Sequence, residues 1–256
     1  MLAKLRSRIG LSHPALTSAL DPLITSGTMF LVQAAVLLST SKTEFASYSL
    51  AYSYVVMGQA VLTALFGGPL VTLLGEMPSG SARTQIGDAL LRMQFATVFV
   101  LGAVAFGAAA VLELPLSITA LAIAGLVGLS FRDALRNVLA VQLRSDEALR
   151  IAIRFAVVTA LLLGAALLAW HRIDAELGLA IMAIAALAAQ ARLMAFRLAT
   201  PARLPINAIR RLLGMAAWSL PGATVIWLQN SFYLTLVAVN LSMDAVGEVS
   251  AARMIV

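Results

Sequence analysis

The sequence predicts an all-α, polytopic membrane helix bundle: one six-helix half followed by the first one to two helices of a second half. Three observations carry that prediction. Apolar residues fill 61% of the 256 positions and charged residues only 12%, against about 45–50% and about 25% in a soluble domain. The apolar residues are gathered into stretches of about 20, the length that crosses about 30 Å of hydrocarbon. The segments between those stretches alternate between rich and poor in Lys and Arg.

With 18 Lys and Arg, 12 Asp and Glu and a mean hydropathy of +0.94, a soluble globule is excluded, and disorder, collagen and coiled coil with it. The chain holds no cysteine, and its two histidines, His13 and His171, are far apart in sequence, so metal and thiol enzymology are not expected. No Gly-rich run ends in Gly-Lys-Ser or Gly-Lys-Thr and no dinucleotide fingerprint is present, so neither ATP-driven transport nor a cofactor is expected.

The first span is predicted from Pro22 to Thr40, where Asp21 followed by Pro22 reads as a helix N-cap with proline at the first helical position. A cleaved signal peptide is the competing reading of this end, but the apolar run of 19 residues exceeds the usual 7–15, which favours a signal anchor. Span two runs from about Phe45 to Leu74, and span three from Met93 to Leu112. Span four starts after Pro115, is apolar to Phe131, and then meets Arg132, Asp133 and Arg136 while its helical pattern continues. Span five covers about Ile151 to Trp170, span six about Leu177 to Met194, and span seven Ala223 to Leu241. Between spans six and seven, Asn207, Arg210, Arg211, Gly214 and Trp218 fall on one helical face, with Ile206, Ile209, Leu213 and Ala216 on the other. That pattern reads either as an amphipathic linker along the inner leaflet or as an extension of span seven. The resulting division is a six-helix half over 1–198, a linker over 199–219, and the opening of a second half over 220–256.

Orientation follows from the basic residues. Lys4, Arg6, Arg8, Arg83, Arg92, Arg132, Arg136, Arg144, Arg150, Arg154, Arg192, Arg197, Arg203, Arg210 and Arg211 fall on one set of connections, and only Lys42 and Arg172 on the other. The amino terminus is therefore expected in the cytoplasm. The net charge of +6 is then a topology signal, and no nucleic-acid partner is expected.

The two ends of the chain repeat each other. Pro22 corresponds to Pro221 at an offset of 199, and Ala46-Ser47-Tyr48-Ser49-Leu50-Ala51 to Gly247-Glu248-Val249-Ser250-Ala251-Ala252 at an offset of 201. Transporters build related halves from such repeats. A chain that stops at Met254-Ile255-Val256, inside an apolar segment, predicts a natural product continuing for about five more spans, because a carboxylate in hydrocarbon is costly.

Six spans per half, a cytoplasmic amino terminus and several local motifs give the chain a family likeness. The motifs are Leu20-Asp21-Pro22-Leu23-Ile24 with Phe30-Leu31, Glu44-Phe45-Ala46-Ser47-Tyr48-Ser49-Leu50, Gly68-Pro69, and Asp244-Ala245-Val246-Gly247 with Ser250-Ala251-Ala252. With these the chain resembles the multidrug, oligosaccharidyl-lipid and polysaccharide exporter superfamily, and within it the polysaccharide biosynthesis flippases. Ala46 stands where that family's usual pattern has glycine. The resemblance implies a bacterial inner-membrane flippase whose two halves rock about a central cavity. Its cargo would be a lipid-linked oligosaccharide on a polyprenyl diphosphate, with membrane lipids, a polysaccharide polymerase and glycosyltransferases as further partners. One alternative is a drug or cation antiporter of the same superfamily, with Asp21 as the coupling carboxylate; another is a non-transporting membrane scaffold or remnant.

The candidate residues are those that are expensive in lipid. Arg132 and Arg136, four apart and so on one helical face, are placed to grip a phosphate, with Asp133 between them; the alternative is that span four ends there and the arginines snorkel to head groups. Gln59 and the run Gln229-Asn230-Ser231 can hydrogen-bond sugar hydroxyls or glue helices together. Asp21 is the candidate for a coupling ion or a plain cap. Gly67-Gly68-Pro69 marks a hinge or a tight helix contact. His171 beside Trp170 reads as an interfacial anchor, and Asn240-Leu241-Ser242 matches a glycosylation acceptor that has meaning only in an endoplasmic reticulum.

Overall fold

A backbone in hydrocarbon has no water to bond to, so every N–H and C=O must be satisfied within the chain, and long helices are the simplest way to do so. The structure, a computed structural model, describes residues 13–77, 80–111, 115–199 and 204–254, and among them there is no strand. The elements are α1 (His13–Ser39), α2 (Lys42–Leu62), a π-helical turn (Thr63–Gly67) leading into α3 (Gly68–Gly75), α4 (Ser81–Val111), α5 (Leu116–Val141), α6 (Ser145–Trp170) and α7 (Ala175–Ala199). Then come α8 (Ile206–Trp227), a second π-helical turn (Leu228–Phe232) leading into α9 (Tyr233–Asn240), and α10 (Met243–Arg253). Seven helical stretches are long and apolar enough to span a membrane: Leu16–Ser39, Lys42–Gly75, Ala82–Gly107, Leu116–Val141, Ser145–Trp170, Ala175–Ala195 and Ile206–Asn240. The protein is an all-α polytopic membrane bundle.

The helix α5 is the hub, packed most extensively on α7 and also against α4 and α2, while α1 lies along α6. Apolar burial does not drive helices together in lipid, so close backbone approach and interhelical hydrogen bonds must do it. Gly125 and Gly128 supply the approach: a Cβ on Gly128 would come within 2.9 Å of the Ala186 Cβ, and one on Gly125 within 2.8 Å of Met182. The hydrogen bonds come from buried glutamines on either side. Gln94 of α4 donates to the Ser130 carbonyl at 3.1 Å and Gln190 of α7 to the Gly128 carbonyl at 2.7 Å. Nearby, Arg197 Nη1 meets Asp88 Oδ1 at 2.6 Å with both side chains 6% exposed, closing α7 onto α4.

The carboxy-terminal helices pack against α2. Trp227 donates from its indole nitrogen to the Ser53 carbonyl at 3.2 Å, and α10 runs along α2. Ser41 caps α2 in a reciprocal capping box with Glu44, and Ser242 caps α10 by accepting from the Ala245 N–H at 3.2 Å. These two caps are themselves separated by the repeat offset of 201. Where the two helix starts meet, Thr43 donates to its repeat counterpart Asp244 at 2.6 Å, and Lys42 Nζ is 2.6 Å from Glu248. Gly247 lies against the Lys42 backbone, where any Cβ would collide with the carbonyl.

Several boundaries differ from the sequence reading, each for a physical reason. Pro22 and Pro221 lie inside α1 and α8 and do not start them, so Asp21 is no N-cap. Apolar residues before each proline extend the helix, and a bilayer helix tolerates the lost hydrogen bond where a soluble one would break. The α5 helix runs through Arg132 and Arg136 to Val141, and α4 begins at Ser81, well before Met93. Residues 206–219 are continuous with span seven, and the face that packs inward carries Leu212 and Ala216, while Ile206 and Leu213 are exposed. Gly67 ends the first π-helical turn and sits tightly against Thr63 and Asn137, whereas Gly68 faces open space and Pro69 is buried at the start of α3. His171 ends α6 in the left-handed conformation at φ 56°, its N–H donating to the Leu167 carbonyl. Lys4, Arg6, Arg8, Leu112, Arg203, Ile255 and Val256, which entered the sequence reading, lie outside the described residues.

Candidate functional site

The charged turn of α5 is the starting point, because each ionised group in a membrane bundle needs a partner or a water-filled space. Arg136 has its Nε 3.6 Å from Asp21 Oδ2, an ion pair that joins α5 to the interior of α1 next to Pro22. Arg132 has its Nη2 3.1 Å from Asp133 Oδ1, and the second Asp133 oxygen accepts from the Gln59 amide of α2 at 3.0 Å. The Arg132 guanidinium also lies over the Phe155 ring of α6, 4.9 Å from its centroid. The side chain is 7% exposed, yet its Nη1 has no hydrogen-bond partner. Arg83, Arg92 and Arg197 also carry buried guanidinium nitrogens without a partner, so what distinguishes Arg132 is its surroundings.

Arg132 forms part of the wall of a cavity of about 470 Å³ between α1, α2 and α5 of the first half and the second π-helical turn, α9 and α10 of the second. The lining is rich in hydroxyls and amides: Thr25, Ser26 and Gln33 on α1, and Tyr48, Ser49, Tyr52, Ser53 and Gln59 on α2. Ser231, Ser250 and Arg253 face them from the second half, and no acidic residue lines the cavity among the described residues. Thr25 Oγ1 and Ser250 Oγ, like Arg132 Nη1, are buried without a partner. A hollow lined by hydroxyls, amides and two arginines is suited to water or a polar ligand, not to lipid tails.

The structure sorts the sequence-chosen residues. Arg132 and Gln59 line the cavity, and Asp133 is bound to both. Arg136 and Asp21 hold each other and are not among its lining residues, so Arg132 and Arg136 do not form a joint phosphate grip. Gln229 and Asn230 are exposed, the Asn230 amide donating to its own helix at the Ile226 carbonyl, and only Ser231 of that run faces inward. The run lies in the π-helical turn Leu228–Phe232. Sequence reasoning missed Thr25, Ser26, Gln33, Tyr48, Tyr52, Ser250 and Arg253. Their signal was a three-to-four-residue spacing of polar side chains, Tyr48, Ser49, Tyr52, Ser53 and Gln59, inside one apolar span.

No family model, no curated protein and no solved structure matches this chain.

Proposed function

We propose that the protein translocates a lipid-linked oligosaccharide or polysaccharide precursor across the bacterial cytoplasmic membrane by alternating access. Seven apolar spans and an internal repeat whose two copies meet over a polar cavity fit a transporter. The observation that carries the cargo assignment is the pair of arginines, Arg132 and Arg253, on the wall of a cavity with no acidic lining residue among the described residues. Guanidinium groups in a low-dielectric site favour an oxyanion, and a phosphate or diphosphate is the common oxyanion of a lipid-linked sugar. The hydroxyls and amides on α1, α2 and α10 suit sugar hydroxyls, while a polyprenyl tail stays in the surrounding lipid.

In this scheme the head group enters the cavity from the cytoplasmic side. The contacts of Thr43 with Asp244 and of Lys42 with Glu248 hold the opposite ends of the halves together, and separate as the cavity opens outward. Arginine lines the cavity and no carboxylate does among the described residues, which supports an anionic cargo over a cationic drug. The amino terminus is on the cytoplasmic side, and the polymerase and glycosyltransferases that make and use the saccharide are the natural partners.

Deleting the gene from its host is expected to leave lipid-linked saccharide on the cytoplasmic leaflet, wild type to clear it, and Arg132→Ala to fail to clear it. No accumulation on deletion refutes the flippase reading, and full clearance by Arg132→Ala refutes the site.

A further inference from the structure

We infer that Gln59 and Asp133 are positioning residues that hold the Arg132 guanidinium at the cavity wall for the cargo, an inference that rests on the anionic-cargo reading of the cavity. Neighbouring residues on a helix do not face each other, so sequence adjacency alone does not bring the Asp133 carboxylate to Arg132. The Gln59 amide, reaching from α2 to Asp133 Oδ2 at 3.0 Å, holds the carboxylate back against the guanidinium. Oδ1 then takes the Nη2 edge at 3.1 Å, and the Phe155 ring covers one face at 4.9 Å. With those positions fixed by α2, α5 and α6, the Arg132 guanidinium is held in place at the cavity wall.

The same contacts pair both arginines of α5, Arg132 with Asp133 and Arg136 with Asp21, while Arg253 adds a positive charge to the lining. An anion reaching the Arg132 guanidinium meets a group whose direction is already set, and little ordering remains to oppose binding. Gln59 and Asp133 therefore act on affinity through Arg132 and make no ligand contact of their own in this role.

The test uses substitutions that keep the local charge, Gln59→Leu and Asp133→Glu, alone and in an Arg132→Ala background. Binding of farnesyl diphosphate to the purified full chain in detergent is measured by titration, with farnesol as the phosphate-free control and a melting curve for every variant. Arg132→Ala is expected to weaken binding about thirtyfold or more, and Gln59→Leu and Asp133→Glu about three- to tenfold each. In the Arg132→Ala background either change is expected to have less than about a twofold further effect, because a positioning residue has nothing left to position. Losses that remain in that background overturn the inference while leaving the anionic-cargo reading intact, as do unchanged affinities in folded single variants. Wild type that binds farnesyl diphosphate no better than farnesol overturns both.

Discussion

Removing one partner of the Asp88–Arg197 pair should destabilise the bundle more than any surface change. Nη1 and Oδ1 are 2.6 Å apart, both side chains are 6% exposed, and the Arg197 Nε already lacks a partner. In Asp88→Ala the guanidinium keeps its desolvation cost and loses its one ion-pair partner among the described residues, which corresponds to about 3–5 kcal/mol for breaking a buried pair. Replacing both members with apolar groups of similar size, Asp88→Leu with Arg197→Met, removes the uncompensated charge and should recover most of that loss. The assay is thermal unfolding of the detergent-solubilised protein followed by monodisperse elution. Asp88→Ala should lower the melting temperature well below the double variant. A single variant as stable as wild type, or a double variant worse than either single, refutes the reasoning that this pair is a desolvated link between α4 and α7.

Further outcomes follow from the same contacts. Gly128→Leu should separate α5 from α7, because even a Cβ there comes within 2.9 Å of Ala186, and a loss of about 1–3 kcal/mol is expected in the same thermal assay. Cysteines at positions 43 and 244, where the side chains of Thr43 and Asp244 touch at 2.6 Å, should cross-link. Transport should then stop and return on reduction; transport unaffected by a complete cross-link contradicts separation of these ends. Gln229→Ala and Asn230→Ala should leave transport within about twofold of wild type, since both residues are exposed and outside the cavity wall.

What the sequence made legible was whatever depends on hydropathy and on charge in the wrong solvent. Seven spans are visible as apolar stretches, and Arg132 stands out because a cation in such a stretch is costly. What it hid depends on distance in space or on local helix geometry. Gln59 and Asp133 are 74 positions apart, and no spacing rule joins them. Pro22 and Pro221 read as helix starts under rules learned in water, whereas lipid and neighbouring helices let each helix run on through its proline. Gln229, Asn230 and Ser231 are consecutive polar residues, and composition alone does not say that only Ser231 is buried. Thr25, Tyr48, Tyr52 and Ser250 were hidden differently, because hydroxyl side chains pass unnoticed in apolar spans until helix packing brings them around one cavity.

The central claim is that the Arg132 cavity carries an anionic, sugar-bearing lipid head group across the membrane. Its most direct test is reconstitution of the purified protein into liposomes with a fluorescent polyprenyl-diphosphate saccharide, reading the fraction of head groups that becomes accessible to an external quencher. The account predicts transfer well above that of empty liposomes for wild type, abolished by Arg132→Ala and retained by Gln229→Ala. Transfer by Arg132→Ala equal to wild type, or by neither protein above the empty liposomes, would contradict it.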